Sequence, residues 1–330
     1  MSNVISASSI LLEKLKEDIL SGKEPVRWRM GDDTWDPIEM GPGLFMVLGG
    51  APGSGKTSLV TQLAVEALRS NPHLKVLIAN CEMSPEVLLE RQVARLAEVS
   101  AKNIRDRWCT DVEQVHQALR DLDSLGNRLF FHTGRYNLKD VANSVDDCEA
   151  DIVIVDYLQR FTADGKDVME QRMELDRMVQ LLRNFAKAGK GIVAISSLAR
   201  QSAGGSSGYA KLNMSSFRGS AELEFGADSC WILAPNESDE APQLDIMLPA
   251  GHGSVAMELK CHKNRFGETP RLELRFNKVF QKFEVEDVES RLQELMITSV
   301  AQRSNGNGAD VSPGSNGVDS QRMVNEDSLF

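Results

Sequence analysis

Gly50-Ala51-Pro52-Gly53-Ser54-Gly55-Lys56-Thr57 decides the fold, because of what stands on either side of it. Before it, Leu44-Phe45-Met46-Val47-Leu48-Gly49 is an apolar run of strand length. After it, residues 58–68 carry leucine, valine and alanine at helical spacing. A strand, a glycine-rich turn ending in Lys-Thr and a helix together make a phosphate-binding loop. Gly50, Gly53 and Gly55 allow the tight backbone path that turns N–H groups, with Ser54, toward a phosphate-sized hollow. The helix N-terminus adds its partial positive charge. Lys56 is placed to reach the β- and γ-phosphates of ATP, and the Thr57 hydroxyl to ligate Mg²⁺. A chance match in a glycine-rich turn is the competing reading, and both flanks weigh against it.

Four more apolar runs lie further along the chain: Lys75-Val76-Leu77-Ile78-Ala79-Asn80, Asp151-Ile152-Val153-Ile154-Val155-Asp156, Gly191-Ile192-Val193-Ala194-Ile195-Ser196 and Ser229-Cys230-Trp231-Ile232-Leu233-Ala234. Continuous apolar runs suit strands buried on both faces, and the intervening lengths suit helical crossovers. The expectation is an α/β fold with a mostly parallel central sheet flanked by helices. Met257-Glu258-Leu259-Lys260-Cys261-His262 and residues 271–284 read as antiparallel strands at one edge. Residues 37–290 are expected to form a single domain. Residues 1–36 hold an amphipathic helix and linker, with Ser9-Ile10-Leu11-Leu12-Glu13-Lys14-Leu15-Lys16-Glu17-Asp18-Ile19-Leu20 stopped by Ser21-Gly22. That helix packs either on its own domain or on a neighbouring subunit. Residues 291–330 become rich in Ser, Asn, Gly and Asp, too polar to offset chain entropy by burial, so a disordered tail is expected.

No stretch approaches the roughly 18 to 20 apolar residues that span a bilayer. Met1-Ser2-Asn3-Val4 lacks the basic start of a secretory signal. A cytoplasmic protein with no membrane partner is the expectation. The cysteines, Cys81, Cys109, Cys148, Cys230 and Cys261, form no C-x-x-C pair, which argues against a disulfide framework or a structural zinc site. The net charge of −11 argues against nonspecific coating of nucleic acid. It leaves room for a local basic channel, since only charges near the phosphates act strongly at physiological salt.

Hydrolysis needs acids beside the phosphate loop. Asp156 ends an apolar strand, from which a carboxylate can hold the Mg²⁺ shell; a turn or helix cap is the plain alternative. Glu82, just past the strand that ends at Asn80, is placed to polarise the attacking water. Its alternative is a first-turn glutamate ahead of Pro85-Glu86-Val87-Leu88-Leu89, complementing a helix dipole.

These residues, taken in order, resemble the C-terminal motor domain of the DnaB-type bacterial replicative helicases. Asn80-Cys81-Glu82-Met83-Ser84-Pro85-Glu86-Val87-Leu88-Leu89-Glu90-Arg91 is similar to the segment that carries that family's catalytic Glu and a trailing Arg. Ile154-Val155-Asp156-Tyr157-Leu158-Gln159 resembles its Walker B strand. Residues 217–228 resemble a later motif at Arg218, Ser220, Glu224, Ala227 and Asp228, and Lys260-Cys261-His262-Lys263-Asn264-Arg265-Phe266-Gly267 resembles a Lys-x-Arg-x-Gly turn. The resemblance spans about 41–284. It implies a RecA-like P-loop NTPase, a homo-hexameric ring, and an ATP-driven helicase acting on single-stranded DNA in replication, with a primase or loader as a possible partner. Lys263 and Arg265 would act in trans on the neighbouring subunit's γ-phosphate, a placement that can be worth roughly 10³ to 10⁵ in rate. Solvated cations on a turn are the alternative. DNA would pass loops corresponding to residues 160–172 and 200–218, where Arg200, Lys211 and Arg218 could track phosphates beside Gly204-Gly205-Ser206-Ser207-Gly208.

The sequence also departs from the family. Ser197, in Ser196-Ser197-Leu198-Ala199-Arg200, occupies the position of the Gln that senses the γ-phosphate, and a serine is too short to span that distance directly. About 40 residues precede the motor region, and the family's N-terminal scaffold domain has no counterpart in them. Lys263-Asn264-Arg265-Phe266-Gly267 is also similar to the signature of the RadA recombination ATPases. Two other readings therefore stand beside the helicase: an ATP-dependent switch or assembly factor that does not unwind, and a RadA-like recombination ATPase.

Overall fold

The computed structural model describes residues 10–108, 112–161, 171–198, 212–217, 223, 225–236 and 253–286. All of these belong to one compact unit that ends at Glu286. The expected C-terminal tail lies outside the described residues.

Among the described residues, nine strands join in one sheet: β1 (Phe45–Gly50), β2 (Val76–Asn80), β3 (Leu129–Phe131), β4 (Ile152–Asp156), β5 (Gly191–Ser197), β6 (Ser229–Pro235), β7 (Ser254–Asn264), β8 (Arg271–Asn277) and β9 (Lys282–Val285). Their order across the sheet is β3-β2-β4-β5-β1-β6-β7-β8-β9. The first six are parallel, and β7, β8 and β9 add on as antiparallel neighbours. The five apolar runs and the antiparallel edge follow the sequence expectation to within about a residue or a short extension. β3 has no counterpart in that expectation, because Leu129-Phe130-Phe131 is too short to stand out as a run; it becomes a strand by pairing with the free edge of β2.

Alternation along each strand sends its side chains to two separate cores. Met46, Leu48, Val76, Ile78, Ile152, Ile154, Val193 and Ile195 pack under α2 (Lys56–Ser70), α3 (Pro85–Ala97) and α5 (Val112–Asp123). Their neighbours Phe45, Val47, Leu77, Ala79, Val153, Val155, Ile192 and Ala194 pack under α6 (Leu138–Cys148) and α7 (Gln171–Lys187). A sheet covered on both faces explains why the runs are apolar at every position.

The β8–β9 hairpin folds back over the start of α2. Buried Gln62 donates from Nε2 to the Phe283 carbonyl at 2.7 Å and accepts the Phe283 N–H at 2.9 Å, which satisfies backbone groups of the outermost strand. Ahead of the sheet, α1 (Ile10–Leu20) ends as expected: Gly22, at φ +67°, and Lys23 close its last carbonyls by bonds to Ile19 and Asp18. Leu12, Leu15, Ile19 and Leu20 on this helix are exposed.

Candidate active site

The parallel strands β1, β2, β4 and β5 end together, and a cavity of about 660 Å³ opens there. The C-terminal edge of a parallel sheet is where ligands bind in open α/β folds. The loop 50–57 crosses this edge. Gly53 and Gly55 adopt φ of +76° and +90°, left-handed backbone that favours glycine. A Cβ on Gly55 would also meet the stacked rings of Phe283 and Phe276 at 2.8 and 2.9 Å, and one on Gly50 the Leu233 carbonyl at 2.7 Å. The loop therefore has to be built from glycine to lie this close to β6 and to the hairpin.

Several polar groups at this end have no protein partner among the described residues. The Ser54 hydroxyl is buried without a hydrogen bond. Arg91, on α3, lines the cavity half-buried and has no hydrogen-bond or ion-pair partner among the described residues. Burial first, then Arg105, pushes the Arg91 guanidinium below its ordinary pKa, against the pull of Asp156. Lys56 lies back along the loop and donates to the Gly50 and Ala51 carbonyls, both at 2.8 Å. Burial lowers its pKa, and Asp156 and Glu82 oppose that shift. The desolvated cations Lys56 and Arg91, which both line the cavity, are what a polyphosphate would complete.

The carboxylates stand opposite. Asp156 is the last residue of β4 and is buried. Its Oδ2 accepts the Thr57 hydroxyl and the Asn80 amide, each at 2.6 Å. Burial, with Glu82 adding to it, pushes the Asp156 carboxyl up to about 6, while Thr57, Lys56 and Arg91 pull it down. A divalent cation would offset that desolvation, so Thr57 and Asp156 fit the Mg²⁺ role their sequence suggests. Glu82 is exposed at the cavity wall. Ser197 lines the same wall, its N–H donating to Gln159 Oε1 at 3.1 Å. Gly53, Gly55, Lys56, Thr57, Glu82, Asp156 and Ser197 thus share one cavity.

Lys263 and Arg265 stand elsewhere. β7 runs antiparallel to β6, so Asn264 pairs with Ser229, which itself pairs with Met46 near the start of β1. The phosphate loop follows the far end of β1, about 13 Å away at the rise of an extended chain. Arg265 is clamped at this opposite end: Nη1 donates to Asp228 Oδ1 at 3.0 Å and Nη2 to the Phe225 carbonyl at 2.9 Å. Asp228 is buried and also accepts from the Phe45 N–H and from Arg183. Lys263 donates to the Ala227 carbonyl at 2.7 Å. Phe225 and Phe266 flank the clamp, 72% and 57% exposed.

Arg200, Lys211 and Arg218 lie outside the described residues. Sequence reading missed several cavity residues. Arg91 stood in a quoted motif without a role, and Phe276, Lys278 and Gln281 arrive from the hairpin with no local signal. It also passed over Asn80 as a strand end.

A glycine-built phosphate loop on a parallel sheet, facing Thr57 and a strand-ending Asp156, defines the class: a RecA-like P-loop ATPase domain. Residues 39–285 match the DnaB-like helicase C terminal domain family, and the chain belongs to that family. It is 27% identical over 263 residues to the probable plasmid replicative DNA helicase of Chlamydia psittaci, covering 76% of this chain and 53% of the relative. It is 25% identical over 285 residues to the replicative DNA helicase DnaB of Helicobacter pylori, covering 76% and 58%. The chain thus spans little more than half the length of these relatives. The fold matches a solved structure of an isolated ATPase domain with a TM-score of 0.68 at 19% identity, covering 86% of this chain and 100% of that one. It also matches a DnaB-like replicative helicase whose structure describes its interactions with primase, with a TM-score of 0.66 at 18% identity, covering 85% and 67%. Among the described residues no helix is long and apolar enough to cross a membrane.

Proposed function

We propose that the chain is an ATP-hydrolysing, ring-forming motor that moves on single-stranded DNA and separates duplexes during replication. The observation that carries this reading is the separation of its two charged sites across one sheet. Lys56, Thr57, Glu82 and Asp156 meet in one cavity, while Arg265 is clamped at the opposite end, beyond reach of its own phosphate loop. A second copy whose cavity meets Arg265 would complete the site. The exposed Phe225 and Phe266 around the clamp, and the exposed leucines of α1, supply apolar surface for such a contact.

In this reading the loop N–H groups, Ser54 and Lys56 hold the phosphates, and Thr57 with Asp156 holds Mg²⁺. Held there, the cation would supply positive charge to offset that of the phosphates. Glu82 orients and deprotonates the attacking water, and Arg91 adds a cation to the phosphate end from the same subunit. Lys263 and Arg265 act on the neighbour's site. Ser197 lies where a longer amide would sense the γ-phosphate. Arg200, Lys211 and Arg218 track the DNA backbone, and a primase or loader is the partner expected by analogy with the helicase solved with primase.

The test is ATP hydrolysis with and without single-stranded DNA, with Lys56→Ala excluding contaminants, followed by unwinding of a forked duplex. Strong DNA stimulation and strand displacement are expected. Lys56-dependent turnover indifferent to DNA would make the chain a nucleotide switch. A preference for branched DNA over a simple fork would turn the reading toward recombination.

A further inference from the structure

Asn80 ends β2 directly opposite Asp156, its register partner on β4. Its side chain is buried, and it bonds in two directions. Oδ1 accepts the backbone N–H groups of Glu82 and Met83, both at 2.8 Å. Nδ2 donates to Asp156 Oδ2 at 2.6 Å. The partners dictate which way the amide points. Turned over, its NH₂ would face two N–H donors and its oxygen a carboxylate.

An asparagine that only closes a turn needs Oδ1 alone. The bond to a carboxylate on another strand lies outside that turn. It joins the turn carrying Glu82 to the oxygen that Thr57 also holds, and Asp156 Oδ1 is left without a protein donor among the described residues. Glu82 is itself exposed, so its backbone is the part of it that is anchored.

We propose that Asn80 is a positioning residue: it holds the Glu82 backbone at a set offset from Asp156, so the two carboxylates keep one geometry through the cycle. This rests on the roles given above to Glu82 and Asp156. Asn80 acts through these two residues, and misplacing a reacting group by about 1 Å can cost roughly 10²-fold in rate.

The test compares wild type, Asn80→Ala, Asn80→Asp, Glu82→Gln and the Asn80→Ala/Glu82→Gln double variant in the full chain. The readouts are single- and multiple-turnover ATP hydrolysis, binding of a fluorescent ATP analogue with and without Mg²⁺, and melting temperature. Asn80→Ala is expected to lower kcat about 10²-fold while KM for ATP stays within about threefold. Asn80→Asp keeps an acceptor for both backbone N–H groups but replaces the donor to Asp156 by a second carboxylate, so it should lower kcat as well. In the Glu82→Gln background, Asn80→Ala should cost much less rate than it does in wild type, because most of its effect is on the placement of Glu82. A kcat within about twofold of wild type, or a fully additive loss in the double variant, would overturn the proposal. If Asn80→Ala fails to fold, Asn80→Ser, which keeps a short acceptor, is judged by the same criteria. Normal turnover by Glu82→Gln would instead overturn the Glu82 assignment, which the single Asn80 variants leave untouched.

Discussion

The two ends of the sheet handle charge in opposite ways. Where β1, β2, β4 and β5 finish, polar groups are held open: Ser54 and Arg91 have no partners among the described residues, and Asp156 is pushed up to about 6 chiefly by burial. Where β6 begins, charge is closed on itself. Asp228 takes Arg183, Arg265 and a backbone N–H, and Arg265 also donates to the Phe225 carbonyl. An unpaired desolvated cation needs a ligand to complete it, and such an end receives. A cation already neutralised within its own subunit, with exposed apolar flanks, needs no ligand to complete it. The family resemblance suggests the trans role proposed for Arg265.

The comparison breaks most sharply at Arg265. Arg265→Ala should lower ATP turnover by about 10³-fold or more. Mixing it with Lys56→Ala subunits should recover part of the loss, since each variant supplies the half of a shared site that the other lacks. Failure to complement would return Arg265 to a purely structural role. At the open end, Glu82→Gln should remove about 10²- to 10⁴-fold of turnover with ATP binding retained, read by steady-state rates beside a binding titration. Equal losses of binding and turnover would mean that the open end is held together by Glu82 rather than served by it.

Stability separates the ends by smaller amounts. Asp228→Asn leaves two guanidinium groups without their buried counter-charge and should cost about 3 kcal/mol in denaturant unfolding. Arg265→Ala, which leaves Arg183 paired, should cost under about 1 kcal/mol. Gly55→Ala should cost about 2 kcal/mol, because its Cβ meets two phenylalanine rings at a left-handed φ. Gly53→Ala, equally left-handed but with nothing within 4 Å, should cost only about 1 kcal/mol. Equal costs at the two glycines would remove the hairpin contact from the account of the loop.

Much of this was legible from residue order alone. The phosphate loop, Asp156 at a strand end and Glu82 past another are local patterns, and five buried strands announced themselves as apolar runs. A buried strand must be apolar whatever it packs against, so its composition reports burial without knowing its neighbours. β3 lay below that signal, since three apolar residues carry no pattern and only the exposed edge of β2 recruits them. Gln62 meets Phe283 across 221 residues of chain, and no spacing rule reaches so far.

The sequence by itself determined the class of fold, the phosphate loop and the two acids, because each depends on residues close together in the chain. Tertiary structure decided that Asn80 links those acids, that Phe276, Lys278 and Gln281 line the cavity, and that Arg265 stands at the wrong end of the sheet for its own nucleotide. These are matters of register and strand order. Hydrogen bonds between strands set them, and the residues that form those bonds are distant in the chain and alike in composition.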